Sequence, residues 1–343
     1  MQPRTRVTIN DVARMAGVSV ATVSKVINGR YGVAVSTSAR VQEVIDQLGY
    51  ESSLVARSLR SRRTNVIGIL VAEFEPFSTE ILKGTSSAIH GSGYELLAYS
   101  GGGRAGSNVG WERRYLSRLS GTLIDGAILV TPTVMEADPG IPVVAVDPHL
   151  GPTGMPTIDS DNAHGAIRAT EHLLDLGHRR IGFLGGRADL ESARLREEGY
   201  RTALAGAGIE VDPALMRVGG YRPETAEGPA RELLTMPERP TAIFAANDLS
   251  AIQVLEVARE LGLRVPEDVS VVGFDNIPES AVVEPSLTTV SQPLQRMGAE
   301  AITLLLDLMR GVTDRETHVR LPTRLLVRGS TGAPRAPRAT GVA

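Results

Sequence analysis

From Val66 onward the sequence alternates between short apolar runs of β-forming residues and longer stretches with helical periodicity. The first runs read NVIGILVA, YELLAYS, DGAILVT and IPVVAVD, and a second series reads RRIGFLGG, TAIFAAND and VSVVGFD. Strands that alternate with helices indicate parallel sheets covered by helices on both faces. Two such series in a chain of 343 residues predict two α/β lobes, each with a core of its own.

The first fifty residues differ, because three short helical patterns fit there, at about 9–16, 20–28 and 35–48. In the run DVARMAGVSVATVSKVIN, Gly17 permits the positive φ of a tight turn, and Ser19 can cap the helix that follows. We therefore predict a helix-turn-helix whose shared core contains Val12, Val18, Val23 and Val26.

The remaining residues of the second helix are expected to face outward, where a helix in the major groove contacts bases and phosphates. They are Val20, Ala21, Thr22, Ser24, Lys25 and Asn28. The alternative is a purely structural helical hairpin. Charge favours the DNA-binding interpretation, because residues 1–64 carry a formal +6 while the rest carries −9. A basic segment on an acidic body indicates that only this segment meets a polyanion, although a solvated surface would show the same bias.

Composition argues against several other classes of protein. The chain contains no cysteine, which excludes disulfides and cysteine-ligated zinc. We find no secretory signal and no run long enough to span a membrane, so we expect a cytoplasmic protein. The sequence has no phosphate-binding P-loop, no dinucleotide fingerprint and no H-E-x-x-H motif, and its six histidines form no metal spacing. We therefore expect neither an enzyme nor a bound cofactor or metal.

Several motifs in order resemble the lactose-repressor (LacI/GalR-type) family of bacterial transcriptional regulators. They include VTINDVARMAGVSVATVSKVING, ARVQEVIDQLGY and VARSLRSRRTNVIGILV near the start, and DSDNAHGAIRATEHLLDLGHRRIGFLGG, AIFAANDLSA, VPEDVSVVGFDN and PSLTTVSQP later, and they span about residues 7–330. The resemblance implies a small all-α helix-turn-helix head plus a two-lobed α/β body like the periplasmic binding proteins, with parallel sheets.

The expected boundaries follow from these motifs. We predict the head at 1–50, a hinge helix and linker at 51–64, the body at 65–332 and a disordered tail at 333–343. Within the body, the N-terminal lobe is assigned to about 65–160 and 292–315, and the C-terminal lobe to about 161–291 and 316–330.

The resemblance also implies roles for DNA-contacting residues. Thr8 joins the helix-turn-helix set, and the short basic segment is similar to a hinge helix that folds in the minor groove. Leu59 matches a side chain that wedges between base pairs, and Val55, Ala56 and Arg57 match its neighbours. The alternative for Leu59 is a residue of a core-packed helix. Ser52-Ser53 stands where the family usually has Pro-Asn, which puts the restraint on the hinge helix in doubt.

Polar residues that follow the apolar runs are candidates for a ligand site, because parallel α/β folds bind ligands outside the carboxyl ends of their strands. Asp147, Asn247 and Asp275 occupy such positions. The resemblance adds Arg196 as an effector-binding arginine and places Phe77 and Ser78 in the wall of the cleft, with Tyr221 as a candidate for the other wall. For each residue alone, a helix cap or a core position is the alternative.

The function that follows is sequence-specific DNA binding, with repression of carbohydrate-utilisation genes relieved by a small sugar. We expect a homodimer on a near-palindromic operator, because the symmetry of the protein is mirrored in its site. The effector is expected to be a mono- or disaccharide. One alternative is a catabolite regulator whose corepressor is a phosphorylated carrier protein. Another is a plain sugar-binding protein, which the basic head argues against.

Overall fold

The structure is a computed structural model that describes residues 7–27, 31–50, 63–100, 109–133, 140–152, 154–312, 314 and 316–335. The chain divides into a small unit at Met1–Thr64 and a body that contains Asn65–Ser120 and Ile124–Ala343. The predicted hinge residues Val55, Ala56, Arg57 and Leu59, and Asn28 of the predicted DNA-contacting set, lie outside the described residues.

The head contains three helices, α1 (Ile9–Ala16), α2 (Val20–Ile27) and α3 (Val35–Leu48). Gly17 ends α1 with a φ of 64°, the left-handed conformation that the turn requires, and the N–H of Val18 donates to the carbonyl of Ala13. Val12 and Val23 are fully buried at the centre of the small core. The remaining buried core residues are Ala13, Ala16, Val41 and Val44.

The body contains twelve strands among its described residues, and its elements run in the following chain order. They are β1 (Val66–Val71), α4 (Pro76–Ala88), β2 (Glu95–Ser100), α5 (Trp111–Leu119), β3 (Gly126–Val130), β4 (Val143–Val146), β5 (Thr157–Ser160), α6 (Asn162–Asp175), β6 (Ile181–Gly185), α7 (Glu191–Gly206), a 3-10 turn (Pro213–Leu215), β7 (Met216–Val218), α8 (Pro223–Leu234), β8 (Ala242–Ala245), α9 (Asp248–Glu260), β9 (Ser270–Asp275), α10 (Glu279–Val282), β10 (Thr288–Ser291), α11 (Leu294–Met309), β11 (His318–Leu321) and β12 (Arg324–Leu326).

These strands form two six-stranded sheets, one in each lobe. The first has the order β11-β5-β4-β3-β1-β2, and all of its strands are parallel. The second has the order β12-β10-β9-β8-β6-β7, in which only β12 runs antiparallel to its neighbour. The interior strands β1 and β9 are buried along their whole length, as expected for parallel strands that are covered on both faces.

Each lobe has its own core, as the two series of apolar runs predict. In the first lobe, strands β1, β3, β4 and β5 pack with helices α4 and α11. The second sheet carries one core on each face. One contains residues of α6 and α7, and the other contains residues of α8 and α9.

The chain passes between the lobes at three places. These lie between β5 and α6, between β10 and α11, and between β11 and β12. The predicted boundary at 316–330 is therefore incorrect for β11, because His318–Leu321 pairs in parallel with Thr157–Ser160 of the first sheet. The chain leaves α11 on the first lobe, adds one edge strand there, and returns to the second sheet only with β12.

The C-terminal end of the described chain packs on the second lobe. Arg335 lies 3.1 Å from a carboxylate oxygen of Asp268. His178 Nε2 donates to the carbonyl of Gly332, and the ring nitrogens of His178 also lie within hydrogen-bond distance of the hydroxyls of Thr241 and Ser270. Residues 333–335 of the predicted disordered tail are thus in contact with the lobe, and 336–343 lie outside the described residues. Among the described helices, none is long and apolar enough to cross a membrane.

Candidate functional site

The outer face of α2 is the part of the head predicted to contact DNA. Ala21 and Lys25, one helical turn apart, are both exposed. Thr22 and Ser24 are half-buried beside them. Val20, predicted to face outward, is half-buried and packs against the head core. Side chains lean towards the start of their helix, so the side chain of Val20 covers the turn before α2.

Hydroxyl groups of the head stabilise the starts of its helices. Ser19 Oγ accepts a hydrogen bond from the N–H of Thr22 at 3.1 Å, as the sequence predicts, and the two hydroxyls lie 2.9 Å apart. At α1, the N–H and the hydroxyl of Thr8 both donate to Asp11 Oδ2, and these bonds lower the pKa of Asp11. Thr8 and Ser19 therefore fix the helices that present Ala21 and Lys25.

A cavity of about 720 Å³ lies between the two lobes of the body. The carboxyl ends of strands from both sheets meet there, where doubly wound folds bind ligands. All seven residues singled out in the sequence line this cavity. They are Phe77, Ser78, Asp147, Arg196, Tyr221, Asn247 and Asp275.

Arg196 on α7 is the buried cation of the cavity wall, with only 2 % of its surface exposed. Its Nε donates to Asn162 Oδ1 at 2.8 Å and its Nη1 to the carbonyl of Ala246. Nη1 also lies 3.4 Å from Asp275 Oδ1. The guanidinium carbon is 3.9 Å from the ring centroid of Phe274 and 5.4 Å from that of Tyr221. These contacts fix the guanidinium plane, which can therefore donate to a ligand with little loss of entropy.

The buried Asp275 and the partly buried Asp147 face Arg196, and desolvation raises the pKa of both. The pKa of Asp147 is about 6 and that of Asp275 about 7, although the charge of Arg196 opposes each increase. Gln292 Nε2 donates to Asp275 Oδ1 at 2.7 Å and also favours the charged form. Both carboxyl groups therefore gain or lose a proton near neutral pH, and both can accept hydrogen bonds from a ligand.

Asn247 and Ser78 line the cavity but already make bonds within the protein. Asn247 Oδ1 caps α9 by accepting from the N–H of Ser250, and its Nδ2 donates to the carbonyl of Tyr221. Ser78 Oγ accepts from the N–H of Glu75 and lies 3.0 Å from the carbonyls of Glu73 and Glu75. One N–H of the Asn247 side chain remains for a ligand, whereas the hydroxyl of Ser78 chiefly stabilises the first turn of α4.

Backbone strain concentrates around the cavity. Thr131, Asp147, Tyr221 and Asp275 all line it, and their φ angles are 49°, 48°, 69° and 116°. Residues other than glycine rarely adopt such values, and they persist where the surrounding structure enforces them, often at ligand sites. Tyr221 is held by the bond from Asn247 and by its ring, which lies so close to Gly186 that a Cβ there would be 2.4 Å from it.

The sequence analysis missed several residues of the wall. Trp111 lines the cavity at the start of α5. Thr131 follows β3 just as Asp147 follows β4, so the strand-end argument could have found it. Burial raises the pKa of Glu75, and burial with the charge of Arg187 lowers the pKa of His149 to about 4. No local sequence signal distinguishes Glu75 or His149 from loop residues.

Several bonds connect the two lobes around the cavity. Arg222 Nη2 lies 2.7 Å from Glu73 Oε2, and the N–H of Glu191 donates to the carbonyl of His149 at 2.8 Å. At the second crossover, Ser160 Oγ donates to Gln292 Oε1, while Gln292 Nε2 holds Asp275. A ligand that touches both walls would therefore act on bonds that set the arrangement of the lobes. Among the described residues, no group of three or more potential metal ligands is present.

Comparison with known proteins assigns a family model to the head and another to the body. Residues 8–53 match the model of bacterial regulatory proteins of the lacI family, and residues 170–331 match a periplasmic binding protein-like domain. A relative named HTH-type transcriptional repressor PurR, from Photobacterium profundum, is 36 % identical over 334 residues, which cover 94 % of this chain and 98 % of the relative. This chain belongs to the lacI family.

Two solved structures of transcriptional regulators are similar to nearly the whole of this lacI-family chain. The complex of the transcriptional regulator CelR with cellobiose is 34 % identical with a TM-score of 0.68, and the match covers 95 % of this chain and all of that one. The lac repressor dimer bound to operator and the anti-inducer ONPF is 27 % identical with a TM-score of 0.80, over 96 % of this chain and all of that one. The chain is therefore a DNA-binding transcriptional regulator and not an enzyme.

Proposed function

We propose that this lacI-family regulator is a repressor of carbohydrate-utilisation genes that a small neutral saccharide releases from its operator. It binds a near-palindromic operator as a homodimer, with one head on each half-site. Because its target is chromosomal DNA, it acts in the cytoplasm. The observation that carries the choice of ligand is the lining of the interlobe cavity, where carboxyl groups and aromatic rings surround an immobilised arginine.

The chemistry of this lining suits a polyhydroxylated ligand. Sugar hydroxyls can donate to the carboxyl groups of Asp147, Asp275 and Glu75 and accept from the guanidinium of Arg196. Aromatic rings suit the apolar face of a sugar ring, and Phe77 and Tyr221 provide them. An anionic ligand would have to displace or protonate several carboxylates, which favours an uncharged one.

The size of the cavity supports a ligand of one or two sugar rings. A volume of about 720 Å³ lies within the usual range for small-molecule sites. The similarity to the CelR–cellobiose structure, which covers 95 % of this chain, favours a disaccharide such as cellobiose. We therefore take cellobiose as the first ligand to test.

Release from DNA follows from differential binding to two arrangements of the lobes. A saccharide that touches both walls stabilises one arrangement, and the operator stabilises the other. The two ligands must then weaken each other's binding by the same factor. The predicted contacts of Val55, Ala56, Arg57 and Leu59 in the minor groove remain a prediction of the sequence.

The decisive experiment measures binding of the full-length protein to DNA from upstream of its own gene by fluorescence anisotropy. Glucose, cellobiose, cellotriose, purine bases and a phosphorylated carrier protein are added in turn. We expect tight binding that cellobiose or a related saccharide reverses. Tight binding that only the carrier protein strengthens would instead support the corepressor alternative, and release by a purine would overturn the saccharide assignment.

Three variants show which part of the protein binds the saccharide and which binds the operator. Arg196→Lys removes the buried planar donor of the cavity, and Arg194→Lys changes an exposed arginine on the same helix that does not line it. We expect Arg196→Lys to bind DNA normally but to resist release by the saccharide, and Arg194→Lys to behave as wild type. Lys25→Ala should lose operator binding while its affinity for the saccharide is unchanged.

A further inference from the structure

Trp111 is the only tryptophan of the chain, and it lies at the cavity. It begins α5, is 2 % exposed, and forms part of the cavity wall. Its indole Nε1–H has no hydrogen-bond partner among the described residues. A buried tryptophan N–H usually finds an acceptor, so an orphaned donor beside a cavity points to an acceptor supplied by a ligand.

The surroundings hold this ring in place. Its centroid lies 5.1 Å from that of Tyr115, which in turn meets Tyr99 edge-on at 4.9 Å. The helix start is tied to the end of β3, because the N–H of Gly110 donates to Thr133 Oγ1 at 2.8 Å. Thr133 Oγ1 in turn donates to the buried carboxylate of Glu112. The indole is thus backed by aromatic rings and fixed before a ligand binds, which lowers the entropic cost of using it as a contact surface.

This part of the wall differs from the polar cluster around Arg196. That cluster is held together by ion pairs, hydrogen bonds and ring contacts among Arg196, Asp275 and Tyr221. Trp111 takes no part in those contacts, and its neighbours in the wall include Val109 and Thr133. The strands β3 and β4 are adjacent, so Thr133, three residues past the end of β3, and Asp147, the first residue after β4, lie at the same edge of the sheet. A second ring on a ligand held by Asp147 and Arg196 would lie in the same cavity as Trp111.

We infer that Trp111 is a specificity-determining residue that forms a second subsite and selects saccharides with more than one ring. The inference rests on the proposed function, and it explains why the site would prefer a disaccharide to a monosaccharide. One oxygen of the second ring accepts the Nε1–H, and that ring lies against the part of the indole that forms the cavity wall. A monosaccharide occupies the polar cluster alone and gains nothing from Trp111.

The single tryptophan makes the test direct, because all of the indole emission comes from this wall. The full-length protein is titrated with glucose, cellobiose and cellotriose, and binding is measured both by calorimetry and by tryptophan emission. Cellobiose is expected to shift the emission, whereas glucose is expected to bind more weakly and to leave the emission nearly unchanged.

Two variants separate ligand contact from packing. Trp111→Phe keeps an aromatic ring but removes the N–H, and we expect it to weaken cellobiose binding about tenfold, the effect of one lost hydrogen bond. Its affinity for glucose should stay within about twofold of wild type by the same reasoning. Tyr115→Phe, which keeps the ring that contacts Trp111 and lies outside the cavity wall, should bind both sugars as wild type does.

Each result has one interpretation. If cellobiose binds by calorimetry but neither changes the emission nor loses affinity in Trp111→Phe, the second subsite is wrong while the proposed function stands. Equal losses for glucose and cellobiose, with a lower melting temperature, would show that Trp111 acts only through packing. If no saccharide binds the wild type, the proposed function fails and this inference fails with it.

Discussion

Burial raises the pKa of the Asp275 carboxyl group to about 7, although Arg196 and Gln292 both favour its charged form. An unfolded aspartate ionises near 3.8, so between these two values the folded protein holds a proton that the unfolded chain has lost. Stability from this group is complete below about pH 4 and is lost as the pH rises through about 7, above which both states are ionised and the loss levels off. Asp147, with a pKa of about 6, contributes in the same direction.

The first prediction follows from this difference. Asp275→Asn resembles the protonated carboxyl group, so its free energy of unfolding should exceed that of the wild type by an amount that grows from pH 5 to pH 8. Urea unfolding across this range measures the difference. Asp189→Asn is the matched control. Arg187 lowers the pKa of Asp189, and both folded and unfolded states are ionised in this range, so the loss of stability should be constant. A constant difference for Asp275→Asn would contradict the assignment.

Single residues also show what the sequence can reveal about the site. Asp147, Asn247 and Asp275 were predicted because each follows an apolar run, and the carboxyl ends of parallel strands meet at one edge of a sheet. The alternative interpretation as caps also applies in part, since Asn247 caps α9. Trp111 gave no such signal, because the start of a helix does not reveal that this helix begins beside a cavity. The sequence likewise does not reveal that Val20 is half-buried, because its burial depends on how α2 packs on the head core.

At the scale of elements, helices α4 and α11 approach each other so closely that only glycine fits at their contact. A Cβ at Gly298 would lie 2.1 Å from the carbonyl oxygen of Ile81, and one at Gly84 would lie 1.8 Å from that of Gln295. The hydroxyl of Thr85 donates across the contact to the carbonyl of Gly298. Helix α4 follows β1 and carries Phe77. Its contact with α11 therefore connects the cavity wall to the helix that follows the passage of the chain from β10 back to the first lobe.

The second prediction is that Gly298→Ala destabilises the body by about 3 kcal/mol, because the added methyl group forces two rigid backbones apart. Gly206→Ala provides the control. Gly206 is a helical glycine with nothing within 4 Å of its Cβ position, and alanine there should be neutral or stabilise by about 0.5 kcal/mol. Chemical denaturation of both variants measures the difference. A Gly298→Ala protein as stable as the wild type would show that the two helices can separate freely.

The course of the chain between the lobes could not be predicted from the sequence in full. The patterns of β11 and β12 are equally consistent with either sheet, because both are short and only partly buried. Their distribution is decided by pairing of β11 with β5 at one edge and of β12 with β10 at another, which are contacts distant in sequence. Local periodicity predicts that an element exists, whereas the choice of sheet depends on which edge strand is free to pair.

At the scale of the whole body, the ion pair between Glu73 and Arg222 spans the opening between the lobes. Both side chains are partly exposed, so their attraction is modest. It nevertheless favours the arrangement in which the lobes enclose the cavity. The third prediction is that Arg222→Glu speeds dissociation of cellobiose several-fold, and that the double variant Glu73→Arg/Arg222→Glu restores most of the lost residence time. Stopped-flow displacement measures both rates. A double variant that releases cellobiose as fast as Arg222→Glu alone, or faster, would indicate direct contacts of these side chains with the ligand instead.

The distribution of charge over the whole chain leads to the last prediction. Residues 1–64 carry a formal +6 and the rest −9, so operator binding should weaken steeply with salt while saccharide binding should hardly change. Each phosphate contact contributes about one unit to the slope of log K against log salt concentration. If two heads bind one operator, Lys25→Ala removes two such contacts and should lower the slope by about two.

The other lysine of the chain supplies the control for this measurement. Lys83 lies on α4 of the body beside Glu80, and Lys83→Ala should leave the salt slope unchanged. Anisotropy titrations at several salt concentrations give both slopes. A decrease of about one in Lys25→Ala would mean that a single head contacts the DNA, which would contradict the homodimer on a near-palindromic site. An unchanged slope would mean instead that Lys25 contacts no phosphate and that α2 reads its operator through uncharged groups such as Ala21 and Thr22.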